Sequence, residues 1–184
     1  TCMAVALAYR NYRAVASPQA VEATTGDEVL LVFIGTSTCG WSNLPGLEDA
    51  VKQIRVRLRN RVSRAGKTFR TIGIAPEVSA GDGIDFLKRF GPFNQILSGA
   101  SWLNYGAMRY VWEQHPGPAS TPQLLIARRR LDLSSVPGAV VPKLVSESVV
   151  QRWVGAEAII EAAAVDQSYL FDSPDSAYVN VSKR

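Results

Sequence analysis

Cys39-Gly40-Trp41-Ser42 stands between an unbroken apolar run and a long amphipathic stretch, a position where a thiol can be put to chemical use. A cysteine at the start of a helix faces the positive end of the helix dipole and N–H groups that lack partners. Both favour the thiolate and can draw a thiol from its usual pKa of ~8.5 into the reactive range. Ser42, three residues further on, cannot close a disulfide with Cys39. The competing expectation is that Cys39 is simply a small residue at a helix start, kept for shape. The other cysteine, Cys2, would reach Cys39 only if the N-terminus folded back to bring the two Cα atoms within about 7 Å. Trp41, at an exposed position beside the cysteine, is a candidate anchor for a partner, since tryptophan is enriched among binding hot spots.

Other chemistry is thinly represented. One histidine, His115, and two distant cysteines cannot fill a four-ligand zinc site without carboxylates, so no metal is expected. His115 lies near Thr121-Pro122 and either approaches Cys39 or is an ordinary loop histidine. No phosphate-binding glycine loop, nucleophile–histidine–acid set or paired-carboxylate motif is present, so no cofactor is expected. The formal charge is +4. The cluster Arg55, Arg57, Arg59, Arg61, Arg64 and Lys67 is expected on a solvated helix face, because phosphate recognition needs a directed patch. Nucleic acid is therefore not an expected partner.

The elements that must position these residues follow from periodicity. A chain of 184 residues, 47% hydrophobic and 20% charged, suits one globular domain with some elaboration. Val29–Ile34 has the continuous apolar character of a strand buried on both faces. Leu47, Val51, Ile54 and Leu58 recur at helical steps, leaving Glu48, Lys52, Arg55 and Arg59 on the remaining surface. Phe69–Ala75 reads as a strand. Asp82 is placed to cap a helix through Phe90 with Ile84, Leu87 and Phe90 inward. Gln95–Leu97 reads as a short strand and Leu103–Trp112 as an amphipathic helix. Gln123–Ala127 reads as a strand that Arg128-Arg129-Arg130 end in an exposed turn. Val140–Val154 holds one or two strand-like segments, and Ala156–Val165 a closing helix. The order implies a mixed α/β layer structure.

Three features in this order carry a resemblance. Glu28–Ser42, EVLLVFIGTSTCGWS, resembles the strand and active-site turn of the thioredoxin-like superfamily, closest to its membrane-tethered extracytoplasmic members. Thr121-Pro122 before Gln123-Leu124-Leu125-Ile126 is similar to the Thr-Pro segment of that family, whose proline is cis and has its neighbour lying across the active cysteine. Arg152-Trp153-Val154-Gly155 running into a helix is similar to its last strand and helix. The resemblance covers roughly residues 28–165. It implies a three-layer fold, a central mixed sheet flanked by helices, with a strand–helix insertion around residues 78–120 before the cis-Pro hairpin. It also implies that Cys39, Ser42, Thr121 and Pro122 form the site of any redox activity. Against the family pattern, Ser42 stands at the second cysteine, Phe33 at the buried polar position six residues before Cys39, and Thr38 at the aromatic before the cysteine.

Residues 1–27 form an N-terminal segment and 166–184 a polar tail. The run Met3–Ala8 with Tyr9, Arg10, Tyr12 and Arg13 beside it suits the interfacial end of a membrane helix. It falls short of the ~20 residues that span a bilayer, and reads either as the end of an anchor or as a short amphipathic helix on the domain. The resemblance favours an extracytoplasmic (periplasmic), membrane-associated protein, while Arg10 and Arg13 pull towards the cytoplasmic side. Trp102 and Tyr105 join Trp41 as candidate protein-partner contacts in the insertion. The lost second cysteine points to a non-catalytic accessory or assembly subunit of a protein complex. The alternative is a single-thiol thiol–disulfide oxidoreductase or isomerase that uses Cys39.

Overall fold

A computed structural model describes residues 26–136 and 139–165; the apolar run near the N-terminus, Cys2 and the polar tail lie outside the described residues. The chain is α/β, with one five-stranded mixed sheet in the order β3-β2-β1-β4-β5. Strands β1 (Gly26–Ile34), β2 (Thr68–Ala75) and β3 (Gln95–Ser98) are parallel, and β4 (Gln123–Val136) and β5 (Ala139–Val154) form an antiparallel hairpin on the far side of β1. Helices α1 (Leu47–Arg64), α2 (Ala80–Lys88), α3 (Tyr105–Ala107) and α4 (Ala156–Ala164) flank it. Among the described residues no helix is long and apolar enough to cross a membrane.

The apolar run of β1 works because the strand is central. Its side chains alternate between two cores. Val29, Leu31 and Phe33 pack with α1, α2 and α4, whereas Leu30, Val32 and Ile34 pack with Tyr110, Val111 and Trp102 on the opposite face. Both faces are therefore covered, which a parallel arrangement demands.

Helix α1 buries Leu47, Val51, Ile54, Leu58 and Val62. It begins after Gly46, whose φ of 87° is one that only glycine adopts at little cost. It ends in a paired cap, in which Gly66 N–H donates to Ser63 O and Lys67 N–H to Val62 O, the pattern of a Schellman motif. Arg55 departs from the expected solvated face. It is buried, and its guanidinium donates to Phe90 O at 2.6 Å, tying α1 to the end of α2. Cys39 also sits differently from expectation. It precedes a short 3-10 turn, Gly40–Asn43, and α1 starts only at Leu47, because Pro45 and Gly46 interrupt the helical path.

The region between β2 and β4 is built from α2, β3 and a broken helical segment. Ser79, not Asp82, caps α2 by accepting from Asp82 N–H; Asp82 falls in the first turn, where its charge complements the dipole. Ile84 is exposed, and Gly83, Phe86, Leu87 and Phe90 face inward. A Cβ at Gly83 would strike Ser98 Oγ and Ala75 Cβ, so the glycine lets the helix approach the sheet. The stretch expected as one helix over Leu103–Trp112 is a 3-10 turn at Ser101–Leu103, then α3, then a π-turn at Met108–Trp112. Asn104 sets the break: its Oδ1 accepts from Ala107 N–H and its amide donates to Ala75 O and Ser101 O.

Arg128-Arg129-Arg130 do not form a turn. They continue β4, paired with Ser148, Glu147 and Ser146 of β5. The reason is electrostatic, since Arg129 and Arg70 close on Glu28 at 2.6 and 2.9 Å and the charge is neutralised within the ladder. The region expected to hold one or two strands is a single strand, β5, with irregularities opposite Ile126/Ala127 and Arg130/Leu131.

Candidate functional site

The site forms at the C-terminal ends of β1 and β2, where three loops meet. The loop after β1 carries Thr36 to Cys39. Its conformation is fixed by Glu77, in the loop after β2, a residue that no sequence motif marks. The buried Glu77 carboxylate accepts from Thr36 Oγ1 and from Ser37 N–H, both at 2.6 Å. Burial pushes this carboxyl up, and the Thr36 and Ser37 hydrogen bonds outweigh it, so its pKa lies below the usual value. Asn43 closes the turn from the other side by donating to Ser37 O and Cys39 O, and Arg89 holds Asn43 in place.

Ser42 is buried, and its Oγ accepts from Thr36 N–H at 3.4 Å. It serves as an acceptor inside the turn, where a thiol would be a poorer partner. Phe33 lies beneath, stacked on Phe90 with ring centroids 4.3 Å apart and packed against Phe86. The floor of the site is therefore aromatic.

Thr121 and Pro122 arrive at the start of β4, the neighbour of β1 on the side away from β2. Their peptide bond is cis, and Pro122 O accepts from Gly155 N–H at the end of β5. The Thr121 carbonyl faces Cys39, accepting from Sγ at 3.2 Å. Cys39 itself is half-exposed. Burial pushes its thiol up, but hydrogen bonds from the Thr121 side chain, from Ser42 and from the Trp41 backbone more than offset this, holding it below the ordinary thiol value. The Thr121 carbonyl, as an acceptor, works in the opposite sense by favouring the protonated thiol. The N-terminus of a long helix, expected from sequence beside Cys39, lies further along the chain, since α1 begins only at Leu47.

The structure thus brings Cys39, Ser42, Thr121 and Pro122 together. Trp41 stands beside them, 56% exposed. Trp102 is half-buried against the second core, edge-on to Trp112, whose Nε1 donates to its carbonyl. Tyr105 is 64% exposed, with its hydroxyl accepting from Arg109. Ser101 N–H donates to Glu77 O, which joins the loop carrying Trp102 to the loop beneath Cys39. His115 turns away from the cysteine: its Nε2 meets Glu147 of β5 at 3.0 Å and its ring stacks on Tyr110. Among the described residues no cluster of three or more His, Cys, Asp or Glu side chains is arranged to hold a metal.

Compared with known proteins, the chain matches no family model, no curated protein and no solved structure.

Proposed function

We propose that the chain is a thioredoxin-like domain that exchanges disulfides through the single thiol of Cys39. The observation carrying this reading is a half-exposed thiol at the meeting point of the loops from β1 and β4, 3.2 Å from the Thr121 carbonyl and held below its ordinary pKa.

The chemistry balances without a second protein cysteine. Cys39 loses its proton to solvent, and the thiolate attacks one sulfur of a substrate disulfide. That S–S bond breaks, a Cys39–substrate mixed disulfide forms, and the released substrate thiolate takes up a proton. A second thiol, from the substrate or from a small-molecule thiol, attacks the mixed disulfide and returns Cys39 as thiolate. Ser42 leaves this second step to an outside thiol, which suits isomerisation or partner transfer better than net oxidation. The test is turnover of a mismatched-disulfide peptide in the presence of a small-molecule thiol. Activity in the wild type that vanishes in Cys39→Ser supports the reading, and equal rates in both exclude it.

One observation favours a second reading, a non-catalytic protein-assembly module. Leu103, Tyr105, Trp112 and Trp41 all expose large apolar surface, more than a solvated loop requires. It predicts a stable complex with a protein partner that survives Cys39→Ser, which mixed-disulfide capture would not.

A further inference from the structure

Arg152 of β5 has no role in the exchange chemistry, yet its guanidinium reaches into the segment that leads to Thr121. Its Nη1 donates to Gln123 Oε1 at 2.6 Å, and its Nη2 donates to Tyr110 O at 3.0 Å and His115 O at 2.8 Å. Among the described residues its acceptors are thus an amide and two backbone carbonyls. Burial pulls the pKa of this guanidinium down, a cost that a surface arginine would escape. Gln123 is fully buried and passes the constraint on, its Nε2 donating to Pro118 O at 2.6 Å and Ser120 O at 2.7 Å. Gly117 leaves the space that the guanidinium fills, for a Cβ there would overlap it.

We propose that Arg152 and Gln123 are positioning residues that hold Thr121 against Cys39. The inference rests on Cys39 being the reacting thiol. A planar guanidinium with several donors in a fixed fork can fasten the end of the π-turn, the His115 loop and the start of β4 at once. Gln123 adjoins Pro122 in the chain, so the acceptors it gathers at Pro118 and Ser120 fix the approach to Thr121 on the other side. Glu147 adds a second tie from β5, meeting Arg109 and His115, and so steadies the same segment from the sheet edge.

The test follows the rate of Cys39 alkylation by iodoacetamide against pH, in full-length protein carrying Cys2→Ser so that one thiol reports. Arg152→Lys keeps the charge and loses the fork. Gly117→Ala, in a surface loop, displaces the guanidinium without touching the core and serves where the arginine variant folds poorly. In both, the profile is expected to shift by about half a pH unit, as Thr121 is no longer held 3.2 Å from the thiol. Val62→Ala, a core change at the far end of α1, leaves it in place. A profile that stays put in Arg152→Lys and Gly117→Ala overturns the proposal. Alkylation reads the thiol directly, so this result is separate from whether Cys39 turns over disulfides.

Discussion

The Cys39 sulfur lies 3.2 Å from the carbonyl oxygen of Thr121, a residue 82 positions further along the chain. Two distant loops meet there because β1 and β4 are neighbours, with Ile34 paired to Gln123, so the end of one strand and the start of the other share an edge of the sheet.

Ser42 occupies the interior of the turn that Cys39 opens, so Ser42→Cys should create a dithiol. Intact-mass analysis after mild oxidation is expected to find Cys39 bridged to the introduced thiol, and mixed disulfides with a substrate should become short-lived. Thr36 N–H loses its oxygen acceptor in this variant, which should lower stability by about 1 kcal/mol. Persistent long-lived mixed disulfides would show that the two side chains cannot approach.

Phe33 is fully buried between Phe86 and Phe90. Phe33→Ala should destabilise the fold by about 3–5 kcal/mol, the cost of a large aromatic cavity, measured by chemical denaturation. Phe33→Asp should cost at least as much, since an aromatic floor offers no partner for a carboxylate. An aspartate variant as stable as the wild type would mean that water or a polar group already reaches this position.

Glu77 and Glu147 both have their carboxyl pKa lowered in the fold. A depressed folded pKa adds stability that is fully present above the unfolded carboxyl value of about 4.3. That stability is lost as pH falls through the folded value. Acid denaturation is therefore expected to be less steep in Glu77→Gln and in Glu147→Gln than in the wild type. Unchanged pH dependence in either variant would contradict the assigned hydrogen bonds.

Glu28 is buried between Arg70 and Arg129. Removing the carboxylate strands two cations at the base of the sheet, so Glu28→Ala should cost about 3–5 kcal/mol in denaturant unfolding. Arg70→Ala leaves Arg129 still paired and should cost less. Equal losses would mean that the two arginines share the carboxylate as a unit.

Much of the architecture is legible in local pattern. The apolar run Val29–Ile34 and the Leu47–Leu58 stripe read directly, because burial on two faces or on one leaves a periodic signature. Residues whose partners lie far along the chain did not read. Glu77 binds the Cys39 loop across 40 positions, and nothing near it in sequence marks that contact. Arg129 looked like a turn residue because Glu28, its neutralising partner, is 101 residues away. Arg55 looked solvated because a helical pattern counts charge and does not see the Phe90 carbonyl that receives it. Asp82 and Ser79 are both good caps by type, and only backbone geometry chose between them. Pro45 and Gly46 are the local signal that separates Cys39 from α1.

The most direct test of the central claim is the rate at which Cys39 forms a mixed disulfide with a small aromatic disulfide, followed against pH in folded Cys2→Ser protein. One adduct per chain is expected, removable by added thiol, with a half-maximal rate below the ~8.5 of a free cysteine. A thiol that reacts only after the protein unfolds, or with a midpoint at or above that value, would contradict it.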